Sequence, residues 1–189
     1  MMLTTALLDA NILYSAPLRD IFMELALNEL FRVRWTDRIQ EEWINALLRD
    51  RPTLNRERYE RTRDMMNQAI MEANITNYES LIPNISLPDL DDRHVLASAI
   101  VGGCDVIITH NLSDFPQSVV HGYGLDVQSP DDFLLPYLLN QPELFCGSLQ
   151  TIRTRLKNPP YTTHMYIEVL KKAGLTKTVL ALTNCADWI

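Results

Sequence analysis

Acidic side chains recur in this sequence at points where strands are predicted to end. Asp9 follows the apolar run Thr5–Leu8, and Asp114 comes shortly after the β-branched run Asp105–Thr109. In open parallel sheets, functional groups collect beyond the carboxyl ends of the strands. We therefore expect acids from distant parts of the chain to meet in one cleft.

Four further acids are candidates for the same cleft. Asp91 and Asp92 begin a predicted helix just before the second of these strands, and Glu41 and Glu42 lie on an earlier predicted helix. Adjacent residues on a helix point about 100° apart, so one of the two glutamates must face solvent or a partner. Each acid alone also fits a structural role, Asp9 as a loop cap and the Asp91-Asp92 pair as a helix cap.

A cluster of carboxylates would repel itself and raise its own pKa values. A hard divalent cation resolves this conflict, because Mg²⁺ and Mn²⁺ prefer carboxylate oxygens and retained waters. Such a metal suits phosphodiester hydrolysis, since it activates water and screens the developing charge. The acids together therefore predict a magnesium or manganese site in a hydrolase.

The elements that must position these acids alternate between strand and helix along residues 1–140. This alternation predicts an α/β fold, three layers around a mostly parallel central sheet. The predicted strands are residues 5–9, 33–36, 105–109 and 125–128, and the predicted helices are 18–31, 37–48, 55–74, 93–101 and 130–139. Thr36 or Asp37 is expected to cap the second of these helices, and Gly102-Gly103 is expected to end the fourth.

Residues 141–189 have a different character and are predicted to form a small C-terminal helical extension. Short helices are expected at 149–156, 163–173 and 177–182, with a break at Asn158-Pro159-Pro160. About fifty residues are too few to fold alone, so the extension should pack on the domain formed by residues 1–140.

Composition and motifs exclude several classes of protein. The 189 residues are 47% hydrophobic and 22% charged, as in an ordinary globular protein. The sequence contains no GxGxxG, GxxxxGK[ST] or GxSxG motif, which disfavours dinucleotide binding, P-loop NTPase and serine hydrolase activities. It also shows no signal-peptide pattern and no apolar run long enough to span a membrane. Its three distant cysteines form no CxxC pair, so a reducing, cytoplasmic location is expected.

The formal charge of −7 is unevenly distributed, with −10 in residues 1–140 and +3 in residues 141–189. Within the acidic part, six arginines fall between Arg49 and Arg63, interleaved with acids. They form either a solvated helix face with internal ion pairs or a surface that contacts phosphates. The basic tail forms either a helical cap with solvated lysines or a surface that contacts phosphates and stacks on bases.

Several segments together resemble the PIN-domain proteins of the VapC toxin type. The resemblance covers about residues 3–135, and the tail is similar to the C-terminal extension of a longer VapC-like subgroup. The segments that carry the resemblance are Leu7-Leu8-Asp9-Ala10-Asn11-Ile12-Leu13, Arg38-Ile39-Gln40-Glu41-Glu42-Trp43, Asp91-Asp92-Arg93-His94-Val95-Leu96-Ala97-Ser98-Ala99 and Val106-Ile107-Ile108-Thr109-His110-Asn111-Leu112-Ser113-Asp114-Phe115-Pro116.

The resemblance implies a quartet of catalytic, metal-binding acids, matched here by Asp9, Glu42, Asp92 and Asp114. Glu41 and Asp91 are the alternatives by register, and Asn111 occupies a position where some members carry an acid. Asn11 and Thr109 are expected to hydrogen-bond the ligating carboxylates. The candidate RNA contacts are Arg49, Arg51, Arg56, His110, Lys171 and Lys172. His94 is expected to be structural or to face solvent, turned away from Asp92.

The function implied is a Mg²⁺- or Mn²⁺-dependent endoribonuclease, the toxin of a type II toxin–antitoxin pair. Its partners would be an RNA substrate, a cognate antitoxin and, in a homodimer, a second copy of the chain. Two alternatives stay open: a PIN-fold module that binds RNA or protein without cutting, and a structure-specific DNA nuclease. The sequence names neither the RNA target nor the antitoxin.

Overall fold

Four parallel strands form the centre of the molecule in a computed structural model, which describes residues 3–182 and 189. The strands are β1 (Thr5–Leu8), β2 (Arg32–Arg34), β3 (Val106–Ile108) and β4 (Asp126–Gln128), and they lie in the order β2-β1-β3-β4. Leu7 pairs with Arg34 on one side and with Ile107 on the other. Every residue of β1 and β3 is buried, so helices cover both faces of the sheet, as expected for parallel strands.

Ten α-helices surround this sheet in the described residues. They are α1 (Ala10–Tyr14), α2 (Ala16–Leu27), α3 (Asp37–Asp50), α4 (Arg56–Ala69), α5 (Arg93–Val101), α6 (Gln117–Val120), α7 (Pro130–Asn140), α8 (Pro142–Arg155), α9 (Thr163–Lys172) and α10 (Thr176–Ala181). Short 3₁₀ turns occupy Glu79–Asn84, Leu112–Asp114 and His121–Tyr123. No helix among the described residues is long and apolar enough to cross a membrane. The α/β prediction is confirmed.

Local sequence signals account for several helix boundaries. The Thr36 hydroxyl accepts a hydrogen bond from the Ile39 amide at 3.0 Å, and the Asn55 side chain caps α4 in the same way. Ser129 accepts from the Asp132 amide at the start of α7, where Pro130 is the first helical residue. Glycine follows the last turn of α5, as predicted.

Three helix boundaries differ from the sequence-based expectation by four residues or more. Helix α2 ends at Leu27 rather than at residue 31, since Glu29 adopts a left-handed φ of 58° and reverses the chain before β2. Helix α4 ends at Ala69 rather than at residue 74. Helix α8 begins at Pro142, seven residues before the predicted start. Gly147 weakens its local helix propensity, but burial of Phe145, Cys146, Leu149 and Ile152 on one face outweighs that cost.

The C-terminal helices pack on the rest of the chain through specific polar contacts. Asp131 at the start of α7 accepts hydrogen bonds from the Lys177 and Thr178 amides, at 2.7 and 2.9 Å, and so caps α10. Arg155 of α8 pairs with Glu24 of α2 at 2.6 Å. Because α7 and α2 belong to the part predicted as residues 1–140, the expectation that the tail packs there is confirmed. The boundary at 140/141 stays a prediction.

The two described cysteines differ in state. Cys104 is a buried free thiol whose pKa burial raises to about 12. Cys146 is buried and disulfide-bonded, a feature that the expectation of a reducing compartment did not include.

Candidate active site

Asp9 stands directly after β1 and is the N-cap of α1. Its Oδ1 accepts from the Ala10 amide at 2.6 Å, and its Oδ2 accepts from the Thr109 hydroxyl and from the Asn11 amide group, both at 2.7 Å. The residue is only 6% exposed. Burial raises the pKa of Asp9, and the hydrogen bonds from Thr109 and Ala10 oppose that rise. The result is a carboxylate held in one orientation at the edge of the sheet.

Thr109 ties the end of β3 to the end of β1. Besides donating to Asp9, its hydroxyl accepts from the Asn11 side chain at 2.9 Å and from the Asn111 amide at 3.0 Å. Asn11 in turn accepts from the His110 amide at 3.1 Å. The structure thus places Asn11 and Thr109 against Asp9, where the resemblance implied they would lie.

Glu42 of α3 faces the cleft, and its neighbour Glu41 does not. Glu42 Oε1 accepts from Arg38 Nε at 2.9 Å and lies 3.1 Å from His94 Nε2 on α5. Partial burial acts to raise the pKa of Glu42, but the hydrogen bonds from His94 and Arg38 outweigh it and hold the pKa below its usual value. Glu41 instead pairs with Arg56 of α4. Because adjacent residues on a helix point about 100° apart, Glu42 faces the cleft while Glu41 forms an ion pair at the surface.

The sequence-based expectation for His94 is wrong in part. It is 2% exposed, so the option of a solvent-facing side chain is wrong, and its ring contacts Glu42 of another helix. Its Nδ1 is buried and has no hydrogen-bond partner among the described residues. The available signal was its position in the first turn of α5, two residues after a candidate ligand at the cleft.

One cleft of about 520 Å³ brings together three of the four predicted acids, Asp9, Glu42 and Asp92. Asp92 is the N-cap residue of α5, but its side chain makes no capping hydrogen bond. Burial and the charges of Asp9, Asp89 and Asp114 raise the pKa of Asp92 to about 6. The raised pKa of Asp92 is therefore the result expected for a partly buried acid with other acids nearby.

The fourth position remains divided between two residues. Asn111 lines the cleft, whereas Asp114 does not, although its charge contributes to the raised pKa of Asp92. Asp91, the alternative to Asp92, is exposed, lies outside the cleft, and donates its amide to Asp89. Asp92 is thus the member of that pair at the cleft.

The candidate RNA contacts fall on two sides of this cleft. Arg49 lines it, with Nε 3.6 Å from Asp50, whereas Arg56 is engaged by Glu41 and Glu60. His110 follows Thr109 and lies against the tail, since a β-carbon at Gly174 would be 3.4 Å from His110 Cε1. The remaining candidates, Arg51, Lys171 and Lys172, are exposed.

The donor set of the cleft fits Mg²⁺ or Mn²⁺ in type and in charge. Its oxygen donors are carboxylates from the residue after β1, from α3 and from the N-cap of α5. Burial and the charges of Asp9, Asp89 and Asp114 raise the pKa of Asp92, and a bound cation would favour its charged form. Within residues 3–182 and 189, however, no three His, Cys, Asp or Glu side chains converge closely enough to hold one ion. Glu42 is directed instead toward Arg38 and His94.

Two family models and one curated protein match this sequence. The family model described as PIN domain matches residues 5–113, and the model described as VapC50 C-terminal domain matches residues 130–184. A curated protein of Mycobacterium tuberculosis, named "Putative ribonuclease VapC50", is 35% identical over 79 residues. That match covers 42% of this chain and 47% of the relative, about half its length. No solved structure gives a significant match. The chain therefore belongs to the PIN-domain family, as a VapC-type member with a C-terminal extension.

Proposed function

We propose that this protein is a metal-dependent endoribonuclease, the toxin of a type II toxin–antitoxin pair. The observation that carries the proposal is that Asp9, Glu42 and Asp92, which are far apart in sequence, line one cleft at the carboxyl edge of the sheet. The relative's name, which includes the word ribonuclease, supports RNA as the substrate.

Asp9, Glu42 and Asp92 would hold Mg²⁺ or Mn²⁺, with Asp114 as the fourth acid and Asn111 as its alternative. When bound, the ion supplies an activated water and screens the charge that develops on the phosphate. Asn11 and Thr109 keep the Asp9 carboxylate in place, and His94 and Arg38 do the same for Glu42. Residues that orient ligands in this way contribute to metal affinity and to rate.

The substrate strand would be held around the acidic cleft by cationic side chains and by His110, whose pKa is lowered by burial. Arg49 and Arg51 lie on the α3 side, His110 follows β3, and Lys171 and Lys172 stand three and two residues before Gly174, which lies against His110. The phosphodiester is then open to in-line attack by water, and no covalent enzyme intermediate is needed. Arg56 belongs to the candidate set but must first leave its ion pairs with Glu41 and Glu60.

An RNA cleavage assay on the full chain tests this proposal. We expect cleavage only with added Mg²⁺ or Mn²⁺, and a loss of more than about 100-fold in Asp9→Asn and Glu42→Gln, because each removes a metal ligand. Glu41→Gln is the matched control, since it removes the same charge one residue away and should retain most of the activity. Cleavage that persists in excess EDTA would overturn the metal mechanism.

A binding module that does not cut is the second candidate. It is favoured by Asn111, an amide at the cleft where a fourth acid could stand, and by the incomplete convergence of the acids. Wild type and Asp9→Asn should be compared on RNA and on DNA. Equal RNA binding with no cleavage by either protein would support the module, and cleavage of DNA alone would support a DNA nuclease.

The same proposal includes the partners of the protein and its location in the cell. A cognate antitoxin and a cytoplasmic location accompany a toxin that acts on RNA. For a homodimer, the apolar residues Ile21, Phe22 and Leu25 of α2 offer no contact surface, because they are buried within the chain. Met65 and Met71, 64% and 86% exposed, remain available for contact with a second copy. The division into residues 1–140 and residues 141–189 is part of this proposal.

A further inference from the structure

Arg19 is a buried cation for which the described residues provide no counterion. It lies on α2, is 8% exposed, and burial lowers the pKa of its guanidinium despite the charge of neighbouring Asp20. Among residues 3–182 and 189, no carboxylate forms an ion pair with it. A buried charge without a partner costs free energy, so its retention requires an explanation.

The contacts that Arg19 makes leave much of its binding capacity unused. Nη1 donates to the Leu13 carbonyl at 2.7 Å, and the guanidinium carbon lies 4.8 Å from the centre of the Trp43 ring. These contacts hold the planar group in one position. A guanidinium has five N–H donors arranged as a fork, a geometry that matches two oxygens of a phosphate.

The guanidinium borders a second cavity beside the acidic cleft. This cavity has a volume of about 360 Å³, and Arg51 and Tyr59 also line it. Tyr14 lines both the cavity and the cleft, and its hydroxyl donates to Asp50 at 2.8 Å. The two spaces are therefore neighbours that share Tyr14 in their linings.

We propose that this second cavity, the Arg19 pocket, binds a phosphodiester of the RNA strand adjacent to the one that is cleaved. Arg19 forms its floor and supplies a paired hydrogen-bond donor. Exposed Arg51 adds a second positive charge at the rim, and the half-buried Tyr59 ring offers a surface on which a base can stack. This inference rests on the proposed function, and it adds where the RNA strand continues beyond the acidic cleft.

RNA binding measured without metal tests the pocket separately from catalysis. The probe is a fluorescently labelled single-stranded oligoribonucleotide, titrated with the full chain in EDTA at several NaCl concentrations. Ala16 is the exposed first residue of α2 and lines the pocket. Ala16→Glu places a carboxylate beside Arg19, and the fold should tolerate it because an acid at a helix N-terminus is favourable.

Ala16→Glu should weaken RNA binding at least about tenfold relative to Ala16→Gln, because a like charge then faces the phosphate in a side chain of the same size. Arg51→Ala should lower the slope of log affinity against log salt by about one, since one phosphate contact is lost. Arg32→Ala, which removes an exposed arginine of β2 that lies outside both the pocket and the cleft, is its control and should leave the slope unchanged.

The possible failures separate the two proposals. Equal binding by Ala16→Glu and Ala16→Gln, or equal slopes for Arg51→Ala and Arg32→Ala, overturns the pocket alone. A wild-type protein that does not bind the oligoribonucleotide overturns RNA as the substrate, and the pocket with it. Thermal unfolding of each variant shows whether it is folded under the conditions of the titration.

Discussion

The two sides of the acidic cleft hold their carboxylates in opposite ways. On the Asp9 side, three donors from Ala10, Asn11 and Thr109 satisfy a nearly buried carboxylate. On the Asp92 side, which comprises Asp89, Asp92 and Asp114, the side chain of Asp92 makes no capping bond and its pKa is raised to about 6 by burial and by other acids.

Together, the two sides explain how the cleft can hold carboxylates in fixed positions and also attract a cation. Hydrogen bonds to a carboxylate fix its position before any ligand arrives. Crowded carboxylates repel one another, which lowers the stability of the metal-free protein. A bound cation removes that repulsion. The Asp9 side therefore supplies position, and the Asp92 side supplies electrostatic attraction.

Removing the donor from the Asp9 side should have the largest effect. We expect Thr109→Val to lower RNA cleavage or Mn²⁺ affinity by about 10- to 100-fold, because Asp9 loses a ligand-orienting partner. It should also lower the free energy of unfolding by about 1–3 kcal/mol, since the amides of Asn11 and Asn111 lose their acceptor. Kinetic assays and thermal unfolding measure the two effects. Thr109→Ser keeps the hydroxyl and is the control; equal activity in Val and Ser variants would contradict the role.

Relieving the Asp92 side should stabilise the metal-free protein. The pKa of Asp92 is about 6 in the folded chain against an ordinary 3.8, so its favourable contribution is complete below about pH 4 and is lost as pH rises through 6. Asp92→Asn should therefore raise the melting temperature near neutral pH in EDTA. The group is half-buried and screened by solvent, which limits the gain to about 1 kcal/mol, or roughly 2–4 °C.

Asp91→Asn is the matched control for that experiment, since it removes the same charge from the exposed neighbouring residue. We expect it to shift the melting temperature less. The stabilisation by Asp92→Asn should disappear at about pH 4, where the wild-type carboxyl is protonated in the folded state. A gain in stability that is equal at both pH values would contradict an electrostatic origin.

Changing the charge around Asp92 should give the smallest effect. Asp114→Asn is expected to lower the pKa of Asp92 by less than about one unit, because it removes one of several nearby negative charges. Asn111→Asp should shift the same pKa upward, since Asn111 lines the cleft that contains Asp92. Carboxyl NMR titration of the metal-free protein follows both. A pKa that neither substitution moves would contradict the contribution of Asp114 and leave burial, Asp9 and Asp89 as the causes of the raised value.

Local signals in the sequence determined the scaffold. The apolar runs of β1 and β3, the cap at Thr36 and the glycine after α5 were all predicted, because strand burial and helix capping depend on residues within a few positions of one another. Asp9 at the end of β1 follows from the same local logic. The start of α8 did not, because burial against other elements outweighed the helix-weakening glycine.

Only the tertiary structure decided what the polar residues around the cleft contact. It directed Glu42 to the cleft and Glu41 to Arg56, a choice that depends on where α4 packs against α3. It turned His94 toward a residue 52 positions earlier in the chain. It also buried Arg19 over Trp43, although no pattern in the sequence distinguishes this arginine from the exposed ones. Pairwise contacts between side chains arise from the packing of whole elements, and their partners are far apart in sequence, so local spacing leaves them open.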